Sequence, residues 1–226
     1  MNQKSVTLIG ATGLIGSHLL EILIHDAEIS SIKVLSRKQL SYTNQKVKVA
    51  VIDFADKEAF AVEIKGSEIV FCAVGTTKQK TKGDKKEYRK VDYDIPVNAA
   101  TFCVAAGCRQ FVFVSSMGAN SKSTNFYLSL KGEVEDAICG MGIETILVFR
   151  PSLLLGKRQE FRFGERISKL FFPPISFLFP SQLRPIQAEH VAKSMVAAAK
   201  KELKGVHIFH YKEMMPLINR YDTKGI

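Results

Sequence analysis

Tyr127 and Lys131 lie four positions apart, a spacing that suits two side chains sharing one proton-transfer step. Ser123 or Thr124 can cap a helix that places both on one face. An ammonium beside a phenol favours the phenolate and lowers a pKa that is otherwise about 10. We therefore predict that Tyr127 exchanges a proton with a hydroxyl or carbonyl group, with Lys131 as its activator. The competing interpretation is a chance pair on the protein surface.

A serine hydroxyl can complete this chemistry, because it donates a hydrogen bond to the reacting oxygen. Gln110–Val114 is an apolar run that predicts a strand, and Ser115 and Ser116 follow at its carboxyl end. The residues alone leave either serine open for this role. A tyrosine helix placed directly after such a strand makes the Tyr-x-x-x-Lys spacing more specific than the pair by itself.

The start of the chain has the pattern of a nucleotide-binding turn. Val6–Ile9 is apolar, three glycines follow at intervals of three, and apolar residues then recur at helical spacing. Gly10 allows a tight turn, Gly13 lets the backbone approach a ligand, and Gly16 lets the helix pack close to the strand. The helix N-terminus then favours a pyrophosphate, although a purely structural turn is the alternative. The dinucleotide contacts predicted here are Gly10, Thr12, Gly13, Leu14, Ile15 and Gly16.

The residues after the second predicted strand, Ile32–Leu35, indicate which dinucleotide is preferred. A cofactor without a 2′-phosphate usually meets a carboxylate here, which accepts hydrogen bonds from the ribose hydroxyls. This chain has Arg37 and Lys38 instead, and a guanidinium pairs with a phosphate through two parallel hydrogen bonds. We therefore predict NADP(H) as the preferred cofactor, with NAD(H) as the alternative. Both cations could otherwise be ordinary surface residues of a loop.

Two later strand ends supply further predicted cofactor contacts. Asp53 follows the strand Val47–Ile52, where it can meet the adenine edge or cap a helix over Lys57–Ile64. Ser67–Val74, which is apolar from Ile69 onward, predicts another strand that ends at the same sheet edge as the glycine turn. Ligands of doubly wound sheets bind outside the carboxyl ends of the strands. The contacts predicted there, with an ordinary turn as the competing interpretation, are Val74, Gly75 and Thr76.

Strands that alternate with helices along most of the chain predict an α/β fold, a doubly wound parallel sheet of the Rossmann type. We expect one domain over residues 1–226, with about 151–226 contributing a small substrate-side lobe. A long helical pattern over Asp84–Ala106 contains Pro96, which predicts a kink or a late helix start. The Phe-rich stretch 167–180 fits a lid over an apolar cavity, the core of the lobe, or a contact surface.

Charge and composition narrow the classes of partner. The 226-residue chain has a formal net charge of +10, and residues 78–90 hold seven Lys or Arg against two carboxylates. That stretch can be a solvated loop or an electropositive rim that attracts an anionic cofactor or substrate. Without interleaved aromatics or a known nucleic-acid motif, binding to DNA or RNA is not expected. Apolar runs stay below the roughly twenty residues of a membrane helix, so stable membrane insertion is not expected either.

Four cysteines, Cys72, Cys103, Cys108 and Cys139, lie in apolar surroundings without C-x-x-C spacing. We expect reduced core thiols and no metal site. Met1–Lys4 leads straight into the first strand without a signal peptide, and together these features predict a cytoplasmic protein. The oligomeric state does not follow from the sequence.

Several of these motifs together resemble those of atypical short-chain dehydrogenases/reductases, and the chain is most similar to the Tat-interacting-protein-like oxidoreductases. The match extends over about residues 6–165 and is carried by Gly10–Gly16, Arg37, Val74–Thr77, Ser115–Ala119, Ser123–Tyr127, Lys131–Glu135, Phe149–Pro151 and Arg158–Glu160. The resemblance implies NADPH bound along the glycine turn, with Tyr127 as proton donor or acceptor. It also favours Ser116 over Ser115, since extended members carry their serine at that place, and it puts Pro151 beside the nicotinamide.

The predicted activity is NADP(H)-dependent hydride transfer to or from a small carbonyl or alcohol substrate. In this prediction Tyr127 exchanges the proton, and Ser116 polarises the substrate oxygen. Lys131 lowers the pKa of Tyr127 and orients the ribose. One alternative is a nucleoside-diphosphate-sugar epimerase, which uses the same residues but needs a lobe for which 226 residues leave little room. The other is a regulatory protein that senses NADPH without turnover, for which this set of side chains is unnecessary.

Overall fold

A computed structural model describes residues 3–77, 79, 81–156, 184–201 and 203–224. Its main strands are β1 (Lys4–Ile9), β2 (Ile29–Ser36), β3 (Val47–Val51), β4 (Ile69–Cys72), β5 (Gln110–Val114) and β6 (Thr145–Phe149). Two short strands, β7 (Leu154–Leu155) and β8 (Ile186–Gln187), pair with each other, and β9 (Gly205–Phe209) is the last. The main sheet has the order β3-β2-β1-β4-β5-β6-β9, and all its strand pairs are parallel. This arrangement confirms the predicted doubly wound Rossmann fold.

Helices cover both faces of this sheet, so strands such as β4 and β6 are buried at every position. One apolar layer contains residues of α1, α6 and α7, and the other contains residues of α2, α4 and α5. The helices are α1 (Leu14–His25), α2 (Lys57–Ile64), α3 (Lys85–Arg89), α4 (Ile95–Ala106), α5 (Phe126–Cys139), α6 (Ala188–Ala199) and α7 (Tyr211–Lys224).

Short polar side chains fix where three helices begin. Asp56 caps α2 and Asp84 caps α3, each by accepting hydrogen bonds from two backbone N–H groups of the first turn. Asn125 caps α5 in the same way. The expectation that Ser123 or Thr124 caps the tyrosine helix was therefore wrong. Ser123 lies two residues too early, where its hydroxyl accepts a hydrogen bond from the N–H of Asn125.

The helical run predicted over Asp84–Ala106 consists of three segments. A π-helical segment at Lys90–Asp94 follows α3, and α4 then begins with Pro96 in its first turn. Proline is tolerated there because the first N–H groups of a helix have no partner within it. Gly107 ends α4 in a left-handed conformation at φ +70°. The π-helical segment carries Asp92, which becomes important in the site.

The last part of the described chain joins the main sheet. β9 pairs with β6 at the sheet edge, α6 packs on α1, and α7 closes the same apolar layer. The sequence analysis did not predict α7. The Phe-rich stretch 167–180 lies outside the described residues, so its three interpretations and the substrate-side lobe stay predictions. Within the ranges given above, no helix is both long and apolar enough to span a membrane.

Candidate functional site

The predicted ligand-binding residues lie at the carboxyl ends of the parallel strands. The strand order reverses between β1 and β4, and the crevice at such a point is where doubly wound folds bind ligands. Gly10, after β1, packs against Ala73, after β4: a Cβ on Gly10 would come within 2.7 Å of the Ala73 carbonyl oxygen. Gly10 also has φ +92°, which residues with a side chain rarely adopt. Two independent reasons for glycine therefore coincide at this point.

The glycine turn leaves the N-terminus of α1 open toward this crevice. The N–H of Gly13 donates to the Gly10 carbonyl oxygen at 2.9 Å and closes the turn. A Cβ on Gly16 would overlap that same carbonyl oxygen, so the helix packs directly against the turn. Among the residues described, no side chain caps α1, and its first turn holds no acidic residue. Unused N–H groups at the positive end of a helix fit a pyrophosphate.

The other residues predicted for this turn have different surroundings. Thr12 is exposed, Leu14 is half-buried, and Ile15 is buried in the core, so Ile15 can offer a ligand only its backbone N–H. Gly156 lies against the turn, because a Cβ on it would come within 2.8 Å of Leu14 Cδ1. The segment that follows the buried Pro151 thus passes beside the glycine turn.

Two exposed cations, Arg37 and Lys38, follow β2 at the same sheet edge. The stretch 36–41 contains no acidic residue. Asp53, also exposed, accepts a hydrogen bond from the Ala55 N–H at 2.9 Å and lies in the turn before α2. Because Asp56 caps that helix, the interpretation of Asp53 as a helix cap was wrong, and its contact with the adenine stays a prediction.

The loop after β4 is held by side chains behind it. Val74 is half-buried, Gly75 is exposed, and Thr76 is buried. The Thr76 N–H donates to Asp92 Oδ2 at 2.7 Å, and its carbonyl oxygen accepts from the Tyr88 hydroxyl at 3.1 Å. The N–H of Thr76 is thus committed within the protein, so a predicted donation from this residue to a cofactor must come from its hydroxyl.

Lys131 is a buried positive charge one turn after Tyr127 on α5. Its Nζ lies 2.9 Å from Asp92 Oδ1 and 6.0 Å from the centroid of the half-buried Tyr127 ring. Burial by itself lowers the pKa of Lys131, but the neighbouring Asp92 carboxylate raises it, and the net shift is upward. Lys131 therefore stays protonated beside Tyr127 at neutral pH, as the proposed chemistry requires.

Ser115 and Ser116 end β5 but have different partners. Ser115 is buried, and its hydroxyl donates to Glu135, a carboxylate that also accepts hydrogen bonds from the Arg150 guanidinium. Ser116 is half-buried, and its hydroxyl donates to the Met117 carbonyl oxygen at a long 3.3 Å. Ser116 thus keeps the more available hydroxyl of the two, and its role toward a substrate stays a prediction.

Asp92 was not among the site residues predicted from the sequence. Asp92 continues a stripe of buried positions that includes Tyr88 and Ile95, at intervals of four and three residues. An acidic residue at a position that helical spacing predicts to be buried indicates a partner inside the protein, because unpaired carboxylates are almost never fully buried. That signal was present, but the partner, Lys131, is 39 positions away and could not be read from it.

Gly132 was also missed, although the sequence gives a signal for it. Glycine inside a helix is unfavourable and therefore indicates close packing. A Cβ on Gly132 would overlap backbone atoms of Asn120 and Ser121. Gly132 thus lets α5, which carries Tyr127 and Lys131, lie directly against the loop that follows the two serines.

The four cysteines are free thiols, and three of them are buried. Burial raises the pKa of Cys72, at the end of β4, to about 12. In the part of the chain that the structure describes, no group of three or more His, Cys, Asp or Glu is arranged to hold a metal ion.

The fold and the glycine turn together define an NAD(P)-binding Rossmann protein. The NAD(P)H-binding family model matches residues 10–144, more than half of the chain, and the protein belongs to this family. The chain is 34% identical over 175 residues to rat protein HTATIP2, covering 76% of this chain and 72% of the rat protein. It is 32% identical over 208 residues to Candida albicans protein FMP52, mitochondrial, covering 89% of this chain and 90% of that protein.

Solved structures confirm the fold. MoeE5 in complex with UDP-glucuronic acid and NAD superposes with a TM-score of 0.70 at 18% identity, covering 98% of this chain and 82% of that one. Further structures of the same type are nucleotide-sugar epimerases and a uronate dehydrogenase. At such identity the likeness concerns the fold alone.

The predicted cytoplasmic location was wrong. FMP52 of Candida albicans and further fungal relatives of the same name carry the word mitochondrial in their names, which points away from a plain cytoplasmic location. The prediction depended on reduced cysteines and on the way the chain starts. Neither feature reports an organelle, because receptors read address signals separately from the properties that govern folding.

Proposed function

We propose that this protein is an NADP(H)-dependent oxidoreductase that transfers hydride to or from a small carbonyl or alcohol substrate. The observation that carries the proposal is the carboxyl edge of the sheet, where the glycine turn before the uncapped helix α1 packs against the residues that follow β4. Asp92 joins the same loop to the buried Lys131, one turn after Tyr127. The helix N-terminus suits a pyrophosphate, and the charged Lys131 beside Tyr127 suits proton exchange. Reduction of a carbonyl group by a nicotinamide needs a bound cofactor and a proton donor, and this edge of the sheet offers a candidate for each.

In this proposal the protein's own side chains manage the proton and the charge. The nicotinamide, when bound, supplies or accepts the hydride. The Ser116 hydroxyl donates a hydrogen bond to the substrate oxygen, and Tyr127 gives that oxygen a proton in reduction and takes it back in oxidation. Lys131 stabilises the phenolate left behind, because its ammonium lies on the same side of α5 as the tyrosine ring.

The cofactor contacts follow the carboxyl edge of the sheet. Backbone N–H groups at 14–16 would hold the pyrophosphate, while Arg37 and Lys38 would hold the 2′-phosphate. Val74, Gly75 and Pro151 would line the path to the nicotinamide, since the loops that carry them adjoin the glycine turn. The absence of a carboxylate in the stretch 36–41 supports the preference for NADP(H) over NAD(H).

Titration with NADPH and NADH, followed by nicotinamide fluorescence, tests the cofactor half of the proposal. We expect NADPH to bind more tightly, and Arg37→Ala to weaken NADPH by roughly 10- to 100-fold with little effect on NADH, since a charged hydrogen bond to phosphate is lost. Arg109→Ala is the matched control, because it removes an exposed arginine that precedes β5 at the opposite edge of the sheet. Equal binding of both nucleotides by the unaltered protein would exclude the NADP(H) preference.

Turnover of a panel of aldehydes and ketones with NADPH tests the catalytic half. We expect Tyr127→Phe to reduce turnover by roughly 10²- to 10⁴-fold while NADPH still binds, because the proton donor is removed and the ring is kept. A regulatory protein that senses NADPH would show no turnover before or after the substitution. That result would favour the NADPH-sensing regulatory protein over the oxidoreductase.

A further inference from the structure

Asp92 joins two parts of the candidate site that are far apart in the chain. Its Oδ2 accepts the Thr76 N–H at 2.7 Å, and its Oδ1 lies 2.9 Å from Lys131 Nζ. The side chains of Asp92 and Lys131 are only 1% and 6% exposed. One buried carboxylate thus fixes both the loop after β4 and the lysine of α5.

The backbone that presents Asp92 is unusual. It lies within the π-helical segment Lys90–Asp94, between α3 and α4. Such wider turns interrupt the regular helix and occur frequently at functional sites. The Tyr88 hydroxyl, one turn earlier, donates a hydrogen bond to the Thr76 carbonyl oxygen. Tyr88 and Asp92 therefore both bind the backbone of Thr76.

Among the groups around Lys131, Asp92 does most to keep the lysine protonated. The titratable groups that act on Lys131 are Asp92 from the π-helical segment, Tyr127 from its own helix and Cys72 from β4. Cys72 carries no charge at neutral pH, since burial raises its pKa to about 12. Burial lowers the pKa of Lys131, and the Asp92 carboxylate is the largest influence in the opposite direction. Without Asp92, a lysine this deeply buried would lose its proton more easily.

We propose that Asp92 is a positioning residue of the cofactor site, one that holds the Lys131 ammonium and the Thr76 backbone in a single arrangement and keeps that ammonium charged. This inference rests on the proposed function, which assigns Lys131 to the cofactor ribose and to Tyr127. Asp92 itself touches neither substrate nor cofactor in this assignment and acts through its two partners.

NADPH titrations across pH 6.5–8.5 test the proposal on four proteins: the unaltered chain, Asp92→Asn, Lys131→Met and the double variant. Asparagine keeps an acceptor for the Thr76 N–H and removes only the charge. We expect Asp92→Asn to bind NADPH about as well as the unaltered protein at pH 6.5 and roughly tenfold more weakly at pH 8.5, as Lys131 loses its proton. The double variant should lose this pH dependence, because the titrating lysine is gone.

A pH profile for Asp92→Asn parallel to that of the unaltered protein would overturn the proposal. Thermal melting of the same four proteins provides a second readout that needs no ligand. Lys131→Met leaves a buried carboxylate without a counter-charge, so it should melt at a lower temperature than the double variant. Effects of the two substitutions that simply add would contradict the coupling. If the unaltered protein does not bind NADPH, the proposed function fails, and the melting experiment still decides whether Asp92 and Lys131 act as a pair.

Discussion

Helix α5 carries Lys131 and Glu135, two buried charged residues one turn apart, and the surroundings of their ion pairs differ. Lys131 pairs with Asp92, on a helical segment, beside the loop that follows β4. Glu135 pairs with Arg150, the first residue after β6, and also accepts the Ser115 hydroxyl at the end of β5. The first pair lies on the side of the proposed cofactor site, whereas the second ties α5 to the ends of two neighbouring strands.

The two pairs also differ in how far their hydrogen-bonding capacity is used. Glu135 receives hydrogen bonds on both oxygens, from Nε and Nη2 of Arg150 and from Ser115. Lys131 has three N–H donors, and Asp92 is its ion-pair partner within the described ranges. A saturated pair can only hold the frame, while an ammonium with donors to spare can also bind a ligand. We infer that α5 separates stability from function along its length.

The largest effect is expected from Arg150→Met, which tests whether the Glu135–Arg150 pair stabilises the fold without taking part in ligand binding. Methionine fills similar space but leaves the Glu135 carboxylate buried without a counter-charge, which destabilises folded proteins by about 3 kcal/mol or more. We expect the free energy of unfolding, measured in urea, to fall by about that amount, while NADPH affinity of the folded fraction changes little. A large loss of NADPH affinity without loss of stability would show that the Glu135–Arg150 pair belongs to the ligand site.

A smaller effect on both pairs together is expected from Gly132→Ala, since Gly132 lies between Lys131 and Glu135. The new Cβ overlaps the backbone at 120–121 and forces α5 outward, so we expect a loss of about 2 kcal/mol in unfolding free energy together with weaker NADPH binding. Gly140→Ala is the matched control, because its nearest neighbouring atom is 3.8 Å away and its backbone is right-handed helical. That control should be neutral or slightly stabilising. Equal behaviour of the two variants would disprove the close contact.

The sequence predicted the parts of the site that depend on local pattern. The glycine turn, the strand ends and the Tyr127–Lys131 spacing each lie within a few consecutive residues. The choice of helix cap was harder, because Ser123, Thr124 and Asn125 can all cap a helix and only the backbone conformation selects Asn125.

Other features depended on contacts that local patterns do not record. Helical periodicity indicates that position 92 is buried, but neither the π-helical turn around it nor its partner Lys131, 39 positions away, follows from that period. Helix α7 was missed because Pro216 lies inside it. Its buried residues Met214, Leu217 and Ile218 nevertheless follow helical spacing. That spacing is a sequence signal for a helix despite the proline.

The central place of β1 affects the order in which the chain can become complete. Among the strands of this sheet, β1 is synthesised before its neighbours β2 and β4, and Gly10 gains its neighbour Ala73 only after β4 has formed. Lys131 and Pro151 arrive later still. Parallel pairings between distant segments form slowly, so partly made chains have the glycine turn without the rest of the site. A nucleotide that contacts all these elements would stabilise only chains that already contain them.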